Sequence, residues 1–209
     1  MKSLIIAVSL IGTGLAFNVQ AQSQNQSPNA SQSSFIQKAA EANLTEAELA
    51  KLAAQKSENN QIKQFADHLQ MDHQNANQKL QSIARSQGVQ IPQSLDPKHR
   101  SELNRLQKLT ATEFDREFII TSLRDHVRTI ALFQKEAQQG RDAAIKQYAQ
   151  DMLPALNQHL DMAKDTAKSV GVKDSTISSI LNRYPASIGG ASTPGGQQQG
   201  TSTGGKRGY

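Results

Sequence analysis

Ile119-Ile120-Thr121-Ser122-Leu123-Arg124-Asp125-His126-Val127-Arg128-Thr129-Ile130-Ala131-Leu132-Phe133 is the stretch on which the fold turns. Its apolar residues recur at steps of four and three: Ile119, Leu123, Ile130, Phe133 and, just beyond, Ala137. That is the period of an amphipathic α-helix, not of a strand, whose side chains alternate every second residue. His126 falls in the same row, three residues after Leu123 and four before Ile130. A histidine so placed is expected on the face that the helix buries.

This pattern predicts a helix over 111–139. Thr110 and Glu113 have the spacing of a capping box at its start, and Gly140 ends it. Three other long helices are expected. The first covers 34–56, with Ser34 as cap and a row of Ile36, Ala40, Leu44 and Leu52. The second covers 59–87, with Ile62, Phe65, Ala66, Leu69, Ala76, Leu80 and Ile83 on one face and Gly88 in the C′ role. The last runs from the cap candidate Asp142 to Val170, just before Gly171. Its row is Ile145, Ala149, Met152, Leu156, Ala163 and Val170. Pro154 within it removes a backbone donor and clashes with the carbonyl of Gln150, so a kink is expected there. Short helices are expected over 97–109, opened by Asp96 and Pro97, and over 175–183, closed before Pro185.

Linker lengths set the topology. The first and second long helices are separated by a few residues, as are the third and fourth, so each pair should fold as an antiparallel hairpin. Some two dozen residues separate the second from the third. An extended stretch with one short helix can cover about 40 Å, roughly the length of a long helix here, so the hairpins can be joined by a long crossover. The expected fold is all-α: a four-helix bundle of two antiparallel hairpins over 35–184, with short accessory helices.

The ends differ from this core. Residues 1–21 read as a signal peptide: Lys2, an apolar run from Leu4 to Phe17, and Val19-Gln20-Ala21 before a cleavage site at Gln22. That run is too short to span a bilayer stably, and nothing later resembles a spanning segment. The mature chain is therefore expected in the periplasm or outer envelope with no transmembrane segment. Residues 22–34, rich in Gln, Ser and Asn, read as a disordered lead-in. Residues 185–209, rich in Gly, Ser and Gln, read as a disordered tail.

Composition removes several classes of function. The chain has no cysteine, so disulfides, thiolate metal sites and a cysteine nucleophile are excluded. Its net charge is +5, but basic and acidic residues are interspersed. Without a basic block or aromatic platforms, no nucleic-acid partner is expected. No Gly-rich phosphate loop, GxSxG elbow or HExxH motif is present.

The remaining chemistry centres on histidine. His73, His126 and His159 each sit inside the apolar row of a different long helix and close to its mid-height. In a four-helix bundle their imidazoles should converge. The first helix offers Glu48 at that level, on the Leu44–Leu52 row, with Glu41 one heptad earlier as an alternative. Asp72 and Asp125 precede His73 and His126, about 100° around the helix. They are placed to accept the second imidazole N–H from a neighbouring helix and so to orient it. The expected metal site is thus His73, His126, His159 and Glu48, for a divalent transition ion such as Zn, Mn, Fe or Cu. His68 and His99 fall outside the rows and are expected at the surface.

Two other readings compete. One is a metal-free hydrogen-bond layer of His, Asp and Glu inside a structural or stress-related envelope protein. The other is an enzyme handling peroxide or oxygen, which needs an open coordination position and a path from solvent. The sequence displays neither requirement. Candidate partners are a metal ion, an envelope surface touched peripherally, and a second copy of the chain.

The chain also resembles a known family, the exported bacterial domain of unknown function DUF4142, which is classed as ferritin-like. The resemblance covers 35–167. It rests on Glu46-Ala47-Glu48-Leu49 with Lys51-Leu52-Ala53, and on Phe65-Ala66 with Met71-Asp72-His73 and Ala76-Asn77. Phe114-Asp115-Arg116, Asp125-His126, Leu132-Phe133, Glu136-Ala137, Leu153-Pro154 and His159-Leu160 complete it. The resemblance implies a ferritin-like bundle in the periplasm or outer envelope and no established activity. Ferritin-like di-iron proteins carry inward Glu-x-x-His pairs. Gln70, Leu123 and Leu156 stand three residues before these histidines, so that ligand set is absent. A mononuclear or non-redox site fits better than a ferroxidase or oxygenase.

Overall fold

The computed structural model describes residues 30–183. The signal peptide, its cleavage site, the lead-in up to residue 29 and the tail from residue 184 lie outside them. Within the described residues there are six helices and no strand: α1 (Ala30–Lys56), α2 (Asn60–Ser86), α3 (Pro97–Gln107), α4 (Ala111–Gln139), α5 (Ala143–Ser169) and α6 (Asp174–Leu181).

Local chemistry explains most boundaries. The Asn59 side chain accepts from the N–H groups of Gln61 and Ile62 and opens α2. Asp96 accepts from His99 N–H at 2.8 Å to open α3, with Pro97 in its first turn. Glu113 reaches back to the N–H and hydroxyl of Thr110 at the start of α4. Asp142 accepts from Ile145 N–H at 2.9 Å to open α5.

Both α2 and α5 end in Schellman motifs, in which a left-handed residue lets the chain fold back onto the last turn. Gly88 has φ +65°, and Val89 N–H donates to Ala84 O at 2.9 Å. Gly171 has φ +75°, and Val172 N–H donates to Ala167 O at 2.9 Å. Pro154 lies within α5, on its exposed side.

One boundary departs from expectation. α1 begins at Ala30, so residues 30–34, read as part of the lead-in, are helical. Phe35 and Ile36 are buried, and Phe35 packs edge-on against Phe133 with ring centroids 5.1 Å apart. Once that turn is anchored, extending the helix backward needs no new nucleus, and Ala, Ser and Gln tolerate it.

The long helices pack as two hairpins, α1 with α2 and α4 with α5. α1 also packs on α4, and α2 on α5, so the cyclic order is α1, α2, α5, α4. The segment between α2 and α4, which contains α3, joins diagonal members of the bundle. α3 rests on α1 and α4, and α6 on α4 and α5. No helix among the described residues is long and apolar enough to cross a membrane.

Apolar packing brackets the mid-height of the bundle. Phe65, Phe114 and Phe118 pack together before His126 in α4, and Phe35, Phe133 and Tyr148 after it. Burying each such ring is worth roughly 1.5–3 kcal/mol relative to leaving it exposed. Of the expected row on α1, Ile36 and Ala40 are buried but Leu44 and Leu52 are not. Ile36, Ala39, Ala40, Asn43, Glu46, Ala47, Ala50 and Ala53 point inward, whereas Leu44 and Leu52 are only half-buried. Small side chains on this inner face leave room for the polar layer.

Candidate metal centre

His73 from α2, His126 from α4 and His159 from α5 meet in the middle of the bundle. Their ring centroids form a nearly equilateral triangle of 5.6, 5.3 and 5.3 Å. All three residues are buried, at 3%, 1% and 1% exposure. One nitrogen from each ring lies within 4.8 Å of the other two, so the group could hold a metal ion.

Each imidazole is held by one nitrogen and leaves the other free. His73 Nδ1 lies 3.1 Å from Asn43 Oδ1. The amide of Asn43 is oriented in turn, because its nitrogen donates to Tyr148 Oη at 3.2 Å and the Tyr148 hydroxyl donates to Ala76 O at 3.2 Å. Asn43 therefore presents an acceptor to His73, which places the His73 proton on Nδ1. His126 Nδ1 donates to Ser122 O at 2.8 Å, one turn back on α4. His159 Nε2 donates to Asp72 Oδ2 on α2 at 2.9 Å. The opposite atoms, His73 Nε2, His126 Nε2 and His159 Nδ1, are buried and have no hydrogen-bond partner. They carry lone pairs in these tautomers.

Burial opposes charging any of these rings, and their mutual repulsion adds to it. His73 is held well below the ordinary histidine range by desolvation and then by His126 and His159. His126 is pushed down to about 3, again mainly by burial. Burial lowers His159 too, although Asp72 pulls the other way. The layer is thus a set of neutral imidazoles, the form in which histidine ligates metals.

The carboxylates are distributed differently from the sequence expectation. Asp72 does contact an imidazole from an adjacent helix. Asp125 instead pairs with Arg128 on its own helix. Glu41 is at the contact with α3, 3.2 Å from His99 Nδ1, and His99 is also bound to Asp96 at 2.9 Å. Glu48 is half-buried and joins none of the groups of converging ligand atoms among the described residues. Its place beside the layer is taken by Glu46, whose Oε1 lies 3.7 Å from His126 Nδ1. Two residues along a helix turn the side chain by about 200°, so Glu46 and Glu48 cannot face the same neighbour.

Glu46 is 3% exposed, and neither of its oxygens has a hydrogen-bond partner. Desolvation, with a smaller contribution from the Asp125 charge, holds its carboxyl well above the usual range. It also lines a cavity of about 430 Å³ between α1, α3 and α4, together with Glu41, Asp96, His99 and Asp125.

Several of these residues gave no sequence signal. Asn43 and Glu46 sit among small residues on the inner face of α1, where no apolar row marks the core. Tyr148 and Ser122 act through a hydroxyl and a backbone carbonyl, which no spacing rule singles out. His68 is not free at the surface: its ring lies edge-on to His159, with centroids 5.3 Å apart.

No curated protein and no solved structure matches the chain. A family profile does, over residues 17–166, more than half of its length, and the chain belongs to the family described as Domain of unknown function (DUF4142).

Proposed function

We propose that this protein is an exported bundle of ferritin-like topology that holds one divalent transition-metal ion between His73, His126 and His159. One observation carries the reading: three neutral imidazoles, each donating through one nitrogen, leave their remaining nitrogens buried and unpartnered in a layer where one nitrogen of each ring lies within 4.8 Å of the other two. An unsatisfied buried acceptor costs about 1–3 kcal/mol. A trapped water has two hydrogens and would leave one of the three lone pairs unserved. A cation satisfies all three.

The donor set narrows the ion. Imidazole nitrogen suits Zn, Cu and Fe, whereas Mn prefers oxygen ligands. Three protein ligands leave one position of a tetrahedral ion open. Asn43, Ser122 and Asp72 would fix the ring orientations, as partners of the second imidazole nitrogen do at metal sites. The ferritin-like topology is supported by the single long crossover between diagonal helices. Export to the periplasm or outer envelope is supported by the character of residues 1–21.

The test is elemental analysis of the full-length protein expressed with Zn, Cu, Fe and Mn supplied, followed by thermal unfolding with and without chelator. The expected result is at least one ion per chain and a midpoint that falls on chelation. An ion at 100 times its dissociation constant stabilises by about 2.7 kcal/mol. A metal-free protein whose midpoint ignores both chelator and added metal would favour the alternative, a hydrogen-bond layer inside a structural or stress-related envelope protein.

A further inference from the structure

A second group of ligand atoms lies on the outer side of His159. His68 and Asp72 are one turn apart on α2 and so share a face. His68 Nε2 lies 3.4 Å from Asp72 Oδ2, the same oxygen that sits 2.9 Å from His159 Nε2. One ligand atom from each of the three residues falls within 4.8 Å of the other two. His68 Nε2 is buried as an atom and has no hydrogen-bond partner. Unlike the inner group, this one reaches the surface: the side chains of His68 and Asp72 are 31% and 29% exposed.

We propose that His68, Asp72 and His159 form an outer metal site, which shares the imidazole of His159 with the inner one. The outer site stands on its own geometry; the sharing rests on reading the buried histidines as a metal site. Two imidazoles and a carboxylate suit a divalent transition ion such as Cu or Zn. His159 Nε2 would face the outer ion and Nδ1 the inner ion. Binding outside displaces the proton that His159 Nε2 now donates to Asp72, and that proton leaves to solvent past the exposed rim. With both sites filled, His159 is an imidazolate bridging two cations. Asp72 changes from hydrogen-bond acceptor to ligand. The position of the outer site suits it to receive ions arriving from solvent, one ring away from the buried position.

The experiment compares full-length wild type, His68→Ala and His126→Gln, each stripped of metal, confirmed folded by circular dichroism and titrated with Cu(II). Gln at 126 keeps a donor for the Ser122 carbonyl, and His68 is too exposed for its truncation to threaten folding. Each variant should bind one equivalent fewer than wild type. Filled wild type should give an exchange-coupled electron paramagnetic resonance signal that both variants lack. If His68→Ala binds as much copper as wild type, the outer site is overturned, whatever His126→Gln does. If His68→Ala loses an equivalent and His126→Gln does not, the outer site stands and the buried one falls. Loss of one equivalent in each variant without exchange coupling in wild type would overturn the shared ring.

Discussion

Asn43 Oδ1 lies 3.1 Å from His73 Nδ1 and ties α1 to α2 at the level of the three imidazoles. Because the other end of the amide is held by Tyr148, this contact selects the tautomer of His73 and leaves its Nε2 buried and unpartnered. Asn43→Leu should leave the His73 N–H without an acceptor. The expected loss is about 1–3 kcal/mol of stability and roughly 10–100-fold in metal affinity. Asn43→Asp, which keeps the acceptor, should recover much of the affinity. Urea unfolding and competitive metal titration measure the two effects, and equal affinities for the Leu variant and wild type would refute the assigned role.

Acid should destabilise the metal-free protein in a defined window. Burial lowers the folded-state pKa of His73, His126 and His159 below the ordinary histidine value. The unfolded chain therefore binds more protons, and stability rises with pH. That stability is complete above about pH 6.5. It is lost as pH falls from there towards about 3, the value for His126. Each histidine contributes a slope of up to about 1.4 kcal/mol per pH unit. Urea midpoints in chelator across this range provide the measurement, and a flat profile contradicts the prediction.

Glu46 should have the opposite sign. Its folded-state pKa is raised, so the carboxyl is neutral in the native protein at a pH where the unfolded chain is ionised. Its contribution is intact below about pH 4.5 and becomes a penalty as pH rises. Glu46→Gln removes the ionisation and should stabilise the metal-free protein at neutral pH, on the order of 1–3 kcal/mol. The gain should vanish in acid. A variant less stable than wild type at pH 7 would show that the carboxyl group has a partner that the amide cannot replace.

Gly88 tests the backbone alone. At φ +65° a Cβ meets nothing within 4 Å, so Gly88→Ala carries conformational strain without a steric clash. The expected loss is about 1–2 kcal/mol, the usual penalty for a left-handed L-residue. Chemical denaturation measures it, with metal binding unchanged because the turn at the end of α2 lies far along the helix from His73.

The helical reading of the chain was available from residue order because periodicity and caps are local properties. Asn59, Asp96 and Asp142 act on N–H groups two or three residues away, and Gly88 and Gly171 set single backbone angles. The rows around His73, His126 and His159 were legible for the same reason: strong apolar neighbours at steps of three and four mark an inward face. α1 broke the rule. Leu44 and Leu52 flank the core, whereas Phe35, Ile36 and Leu49 are buried together with a run of Ala, Asn, Thr and Glu. A phase taken from the leucines points to Glu48, whereas the helix turns Glu46 inward.

From residue order alone follow the helices, most of their ends, the pairing into hairpins and the choice of three histidines. All depend on interactions within a few residues or on the reach of a linker. Packing between helices settled the rest: which nitrogen of each ring is tied down, which carboxylate stands beside the layer, and that His68 lies against His159. Those outcomes depend on how one rod is rotated against another. A rotation by a single residue changes every side chain that meets across the gap while leaving the pattern along the chain intact.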